Sequence, residues 1–173
     1  MENFSIDGAT GRTFELTIEE VDTISEELVR TLIEIDLQTF SESTFSHYTA
    51  RAFLRNGRVL LLRADGHIIG TCVCMRTWAD SDEVLILSMG IRPGWRGRGL
   101  GHGFVQGILK RLRDLGATAV SLLVSLDNRR AIRVYEETGF TVQEVMDRDS
   151  RTGEAFVRMR CPLTGRPELT VVE

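Results

Sequence analysis

The spacing of apolar residues changes period several times along the chain, and each change predicts an element. Residues 13–18, TFELTI, alternate as a half-buried strand does. From Thr17 the pattern turns helical, with Ile18, Val21, Ile24, Leu28, Leu32 and Ile35 recurring every three or four residues. Thr17 and Glu20 have the form of a capping box at its start. A second helix is predicted in FSHYTARAFLRNG, closed by Asn56-Gly57. Two strands follow in RVLLLRADGHIIGTCVCMRT, joined at Asp65-Gly66, a strong hairpin signal.

The second half repeats a strand–helix rhythm. EVLILSMGI reads as a strand, and GLGHGFVQGILKRLRDLG as a helix with Leu100, Phe104, Ile108, Leu112 and Leu115 on one side. AVSLLV is a continuous apolar run, expected to be buried on both faces. DNRRAIRVYEETG is a helix capped by Asp127 or Asn128, and FTVQEVM and EAFVRMRC are closing strands. The predicted order is β-α-α-β-β-β-α-β-α-β-β, an α/β fold. It divides into a flexible lead-in over residues 1–12, one domain over 13–161, and a patternless tail over 162–173.

At 173 residues, the chain is long enough for one domain with a true core. The net charge of −4 speaks against nucleic acid as a partner. No apolar run approaches a membrane span and no leader pattern opens the chain, so a soluble, cytoplasmic protein is expected. The cysteines Cys72, Cys74 and Cys161 and the scattered His47, His67 and His102 lack metal spacing, so no metal is expected. Charge is uneven: residues 1–57 hold eleven acids against four bases, whereas residues 92–113 hold six bases and no acid. A small anion near the basic segment, and a cationic substrate near acids in SES, WADSDE or EVMDRDS, would suit that asymmetry.

The basic segment opens with IRPGWRGRGLGHG, five glycines and three arginines in thirteen residues between a strand and a helix. Amides at a helix N-terminus attract anions, and glycine lets the backbone approach them. The spacing is neither a Walker A loop nor a dinucleotide fingerprint. Both Gly99-Leu100-Gly101 and Gly97-Arg98-Gly99 lack the third glycine that G-x-G-x-x-G requires.

It does match R-x-x-G-x-G at Arg96–Gly101, and LDNRRAIRVYEETGF downstream matches N-x-x-A-I-x-x-Y-E-x-x-G-F at Asn128–Phe140. On these two motifs the chain resembles the GNAT (GCN5-related) N-acetyltransferases over roughly residues 13–160. The resemblance implies a mixed sheet of about seven strands flanked by about four helices, with a splayed strand pair holding acyl-CoA. It also implies acyl transfer from acetyl-CoA or another acyl-CoA to a primary amine of a small molecule, amino acid or peptide, by direct attack through a tetrahedral intermediate. An acyl-CoA-binding sensor without turnover is the alternative, and a homodimer, with the 162–173 tail available for it, is an option the family brings.

Residue by residue, the resemblance implies that Gly97, Arg98, Gly99, Leu100, Gly101 and His102 wrap the CoA pyrophosphate and that Arg96 adds a charged contact. Met89, Gly90 and Ile91 would pair with pantetheine amides, with Gly90 forming a bulge that splays the strand. Asn128 would bond CoA or cap its helix, and Tyr135 would be the general acid. Ribosomal-protein N-terminal acetyltransferases are nearest in pattern, but their catalytic glutamate falls at Leu123 here. Glu83, on the strand before the loop, is the remaining candidate for the base.

Overall fold

At the hairpin that the sequence marks most strongly, Asp65 and Gly66 both take left-handed backbone angles (φ 46° and 81°), the arrangement of a two-residue type I′ turn. The turn joins β3 (Arg58–Ala64) to β4 (His67–Arg76), which pair antiparallel with an irregularity at Leu62/Arg63. The computed structural model describes residues 2–7, 13–40, 45–78, 80, 82–148 and 153–163. It divides the chain into two units, Met1–Met75 with Ile86–Ile108 and Arg76–Leu85 with Leu109–Glu173.

In the first unit the strands lie in the order β1 (Glu2–Asp7), β2 (Thr13–Glu20), β3, β4 and β5 (Glu83–Ile91), the last from Ile86 on, its first three residues belonging to the second unit. Helices α1 (Glu26–Phe40) and α2 (His47–Asn56) connect β2 to β3. Val59, Leu61 and Val73 form one face of the β3–β4 pair and bury against Leu28, Val29, Leu32, Phe45 and Ala50. Leu60, Cys72 and Cys74 form the other face and are also buried. The two thiols sit 3.5 Å apart, unbridged, and burial pushes the Cys72 thiol up.

Three expectations for this unit are corrected. The expected lead-in contains β1, paired antiparallel with β2 from Glu2↔Ile18 to Asp7↔Thr13, which raises the strand count to eight; residues 8–12 lie outside the described ones. The helix expected from Thr17 begins at Glu26, because Leu16 to Glu20 are taken up in pairing with Ala64 to Leu60. Ser25, not Thr17, caps it, its Oγ accepting from the Leu28 N–H at 3.1 Å. The cap of α2 is Ser46, with Thr49 completing a capping box. Gly57 ends α2 with an extended backbone, φ −106° and ψ −166°, so left-handedness is not why it is glycine. A Cβ there would lie 2.6 Å from the Cys74 carbonyl oxygen.

In the second unit β6 (Ala119–Ser125) pairs antiparallel with β8 (Phe156–Pro162), and β8 with β7 (Thr141–Val145), so that β8 lies between the two. Val120, Leu122 and Val124 of β6 share a buried face with Cys161, Met159 and Val157 of β8. The expectation that β6 is buried on both faces fails at Leu123, which is 52% exposed. Helix α3 (Leu100–Asp114) ends at Gly116 (φ 84°), and α4 (Arg129–Glu137) is followed by Gly139 (φ 97°), both left-handed as expected after a helix.

Gly90 sets how close α1 can come to β5. A Cβ at Gly90 would fall 2.3 Å from Thr39 Oγ1 and 3.2 Å from Ile35 Cγ2, and the Thr39 hydroxyl is held by donating to the Ile35 carbonyl at 2.7 Å. Gly90→Ala is expected to lower the unfolding free energy by roughly 1–3 kcal/mol in denaturant titration, as overpacking does. Thr39→Ala in the same chain should restore part of that loss.

Candidate active site

The loop between β5 and α3 lies in the first unit. β5 ends at Ile91, a 3-10 turn spans Pro93–Trp95, and α3 starts at Leu100. Gly97 (φ 84°) and Gly99 (φ 76°) are left-handed, a conformation other residues adopt only with strain. Open space surrounds the place a Cβ would take at Gly99, so the backbone there faces outward. The first amides of α3, at Leu100, Gly101 and His102, have no acceptor one turn back within the helix, which makes this the end where an anion is favoured. The Leu100 side chain itself is buried at 2% exposure, leaving its amide as the group it can offer.

The two loop arginines have different occupations. Arg96 donates from Nε to the Ile91 carbonyl at 2.7 Å and from Nη2 to the Gln38 carbonyl at 2.9 Å, with Thr39 Oγ1 at 3.4 Å. It therefore ties the end of β5 to the last turn of α1 and places a cation where the helix dipole is negative. Arg98 donates once, to Gly94 O at 3.1 Å, and lies over the Trp95 ring at 5.2 Å; it is exposed. Of the two, Arg98 is the one free to meet an anion beyond the loop.

Upstream, Ser88 donates to the buried Asp36 carboxylate at 3.2 Å, Met89 is half-buried, and Gly90 makes the close approach to α1 described above. A Cβ at Gly70 would meet the Gly90 carbonyl at 3.0 Å, so the missing side chain at Gly70 lets the β4 backbone lie close to β5 here. The expected pantetheine partner Ile91 already gives its carbonyl to Arg96. Arg92 anchors the strand end through a two-pronged bond to Glu34 (2.6 and 3.1 Å) and one to the Ile68 carbonyl (3.1 Å). The hydrogen bond from Arg92 holds the Glu34 carboxyl below its ordinary range.

Tyr135, Asn128 and Glu83 belong to the second unit. Tyr135 is 7% exposed on α4, its ring 5.5 Å from Phe140. Asn128 Oδ1 accepts from the Ala131 N–H at 3.1 Å, the helix-cap role. Glu83 is 5% exposed, and both its oxygens are engaged: Arg158 Nη2 donates to Oε1 and Arg160 Nε to Oε2, each at 2.8 Å. Burial pushes this carboxyl up, but hydrogen bonds from Arg160, Ser121 and Arg158 outweigh it and hold the group below its ordinary range. Both oxygens of Glu83 are thus engaged by arginines, which gives the expected base a structural task. The arginines are the residues sequence reasoning missed. Their signal was R-x-R in FVRMRC, since two residues apart on a strand share a face.

Among the described residues no group of three or more His, Cys, Asp or Glu side chains could hold a metal ion, and no helix is long and apolar enough to cross a membrane. Of the acidic stretches named from sequence, residues 41–44 lie outside the described ones, as does the tail from 164 on.

The profile of the Acetyltransferase (GNAT) family matches residues 22–140. The chain belongs to that family. An uncharacterized N-acetyltransferase of Mycobacterium tuberculosis is 30% identical over 108 residues, covering 61% of this chain and 68% of the relative. A mycothiol acetyltransferase of Corynebacterium glutamicum is 44% identical over 90 residues, which is 52% of this chain but 30% of that protein. The ribosomal-protein-S18-alanine N-acetyltransferase of Escherichia coli has the same fold, with TM-score 0.75, 17% identity, and 91% and 99% of the two chains covered. A Bacillus subtilis acetyltransferase solved in complex with CoA also shares it, at TM-score 0.67 and 18% identity over 85% and 98%. This GNAT protein is accordingly an N-acetyltransferase.

Because its folded-state carboxyl is held low, Glu83 contributes stability above the ordinary glutamate value of ~4.3 and loses it as pH falls through its own, lower value. Glu83→Gln is expected to cost roughly 1–3 kcal/mol at pH 7. In denaturant titrations at several pH values, the gap to the parent protein should close as the solution becomes acid.

Proposed function

We propose that this N-acetyltransferase binds acetyl-CoA, or another acyl-CoA, through the 96–102 loop and transfers the acyl group to a primary amine of a small molecule, amino acid or peptide. The observation that carries the reading is the loop, with two left-handed glycines and an exposed arginine at the N-terminal end of a helix, the end that attracts anions. The residues present fit a pyrophosphate: the open space at Gly99 admits phosphate oxygens to the backbone, and Arg98 has N–H groups suited to them. The thioester supplies an activated acyl carbon: the amine nitrogen bonds to it, the carbon–sulfur bond breaks, and amide and thiol result.

The chain's own residues then have separate tasks. Amides of Gly97, Gly99, Leu100, Gly101 and His102, with Arg98, hold the pyrophosphate, while Arg96 keeps the loop in place. Met89 and Gly90 present strand backbone to an extended ligand. Asn128 caps α4 and thereby orients the helix carrying Tyr135. The Tyr135 hydroxyl delivers a proton to the departing sulfur; a phenol, with pKa ~10, can protonate a thiolate with pKa ~8.5. The amine arrives neutral or loses its proton to water, since Glu83 is committed to Arg158 and Arg160.

Tyr135→Phe is expected to lower turnover by about a hundredfold or more. Acetyl-CoA affinity, followed by titration calorimetry, should stay near that of the parent protein. Unchanged turnover in a folded variant would remove Tyr135 from the mechanism, and binding without turnover of any amine would fit the sensor alternative. Arg98→Gln should weaken CoA binding about tenfold. Arg96→Gln should instead show first as lost stability, because its bonds are to the protein.

A further inference from the structure

The two faces of the β6–β8 pair are unlike. One is the apolar face of Val120, Leu122, Val124, Val157, Met159 and Cys161, wholly buried. The other pairs Ser121 with Arg160 and Leu123 with Arg158. β6 is paired along its length with β8, yet Leu123 is 52% exposed on it, and the side chains of Arg158 and Arg160 are 44% and 35% exposed. This face is therefore open to solvent, although its floor, Glu83 and Ser121, is buried.

Two guanidiniums share one carboxylate here. Arg158 uses one nitrogen, Nη2, and Arg160 one, Nε, on Glu83, and neither has another ion-pair partner among the described residues. Glu144 stands opposite Arg158 on β7, exposed, and makes no ion pair with it. Anchoring by Glu83 holds both long side chains in one place, so the ordering cost that weakens most surface arginine sites is met in advance. Their remaining N–H groups form a planar fork suited to a carboxylate. Leu123, directly beside Arg158, offers apolar surface to whatever carries the anion.

We propose that the β6–β8 face, through Arg158 and Arg160, receives a carboxylate of the acceptor, so that the amine substrate of this enzyme is an amino acid with an apolar side chain lying on Leu123. This rests on the amine-acetylation reading above and runs opposite to the cationic acceptor suggested by the acidic stretches. No step of the transfer is assigned to these arginines; they are specificity residues.

The test separates the two readings by measuring binding as well as turnover. With CoA saturating, the full chain is titrated by calorimetry with N-acetyl-leucine and with N-acetyl-leucinamide. The acid should bind about tenfold or more tighter than the amide. Leu123→Glu adds a carboxylate beside Arg158 without touching the Glu83 bonds, and should abolish most of that preference, because it weakens the acid far more than the amide. Glu144→Gln should strengthen acid binding about two- to fivefold by removing a competing charge. Equal binding of acid and amide, or a preference untouched by Leu123→Glu, overturns the proposal. So does a loss of CoA affinity in Leu123→Glu, which would assign the arginines to a donor phosphate. Leucine and leucinamide as acceptors give the independent readout. If neither is acetylated while the charge-dependent binding persists, the carboxylate site stands and the amine-acetylation reading fails.

Discussion

The absence of one Cβ governs the first unit. At Gly90 the backbone of β5 lies so near Thr39 and Ile35 that any side chain would collide, and α1 rests against the strand there. That contact brings the last turn of α1 within reach of Arg96, whose guanidinium spans from the Ile91 carbonyl to the Gln38 carbonyl. The loop leaves the strand from a fixed point as a result, and its left-handed glycines turn the chain into the start of α3. Arg92, bonded to Glu34 and to the Ile68 carbonyl, fixes the same strand end from the hairpin side. An anion site made of backbone needs such bracing, because amides cannot reorient as long side chains can.

The second unit is organised around a charge instead. Glu83 is almost fully buried and is accepted only because Arg158 and Arg160 meet both its oxygens. An unpaired carboxylate at that depth would be costly, and the paired one is drawn away from acid–base work. The same pairing leaves two guanidiniums oriented on an open face beside Leu123. A residue that looks like a base in sequence thus becomes the support of two oriented guanidiniums.

The glycine motif and the helix that follows, the Asp65-Gly66 hairpin, and the Asn128 cap were all legible because each depends on local backbone geometry. The helix boundary at Glu26 was not, since Ile18 fits a three-to-four-residue period as well as it fits a strand, and pairing with β3 decided the matter. β1 escaped notice because the segment around it is polar and its order derives from pairing with β2.

Family was therefore written in the chain itself: the spacing of Arg96 to Gly101 and of Asn128 to Phe140 encodes turns and helix starts that need few distant partners. The tasks of individual side chains were decided by the tertiary structure. Arg96 and Arg98 stand two residues apart in one loop, yet the first bonds carbonyls of β5 and α1 and the second stays with Gly94 and the Trp95 ring. Glu83 is one acid among many until β8, more than seventy residues later, supplies its partners. Charge and hydrogen-bond chemistry act over a few ångströms, and only folding determines which groups come that close.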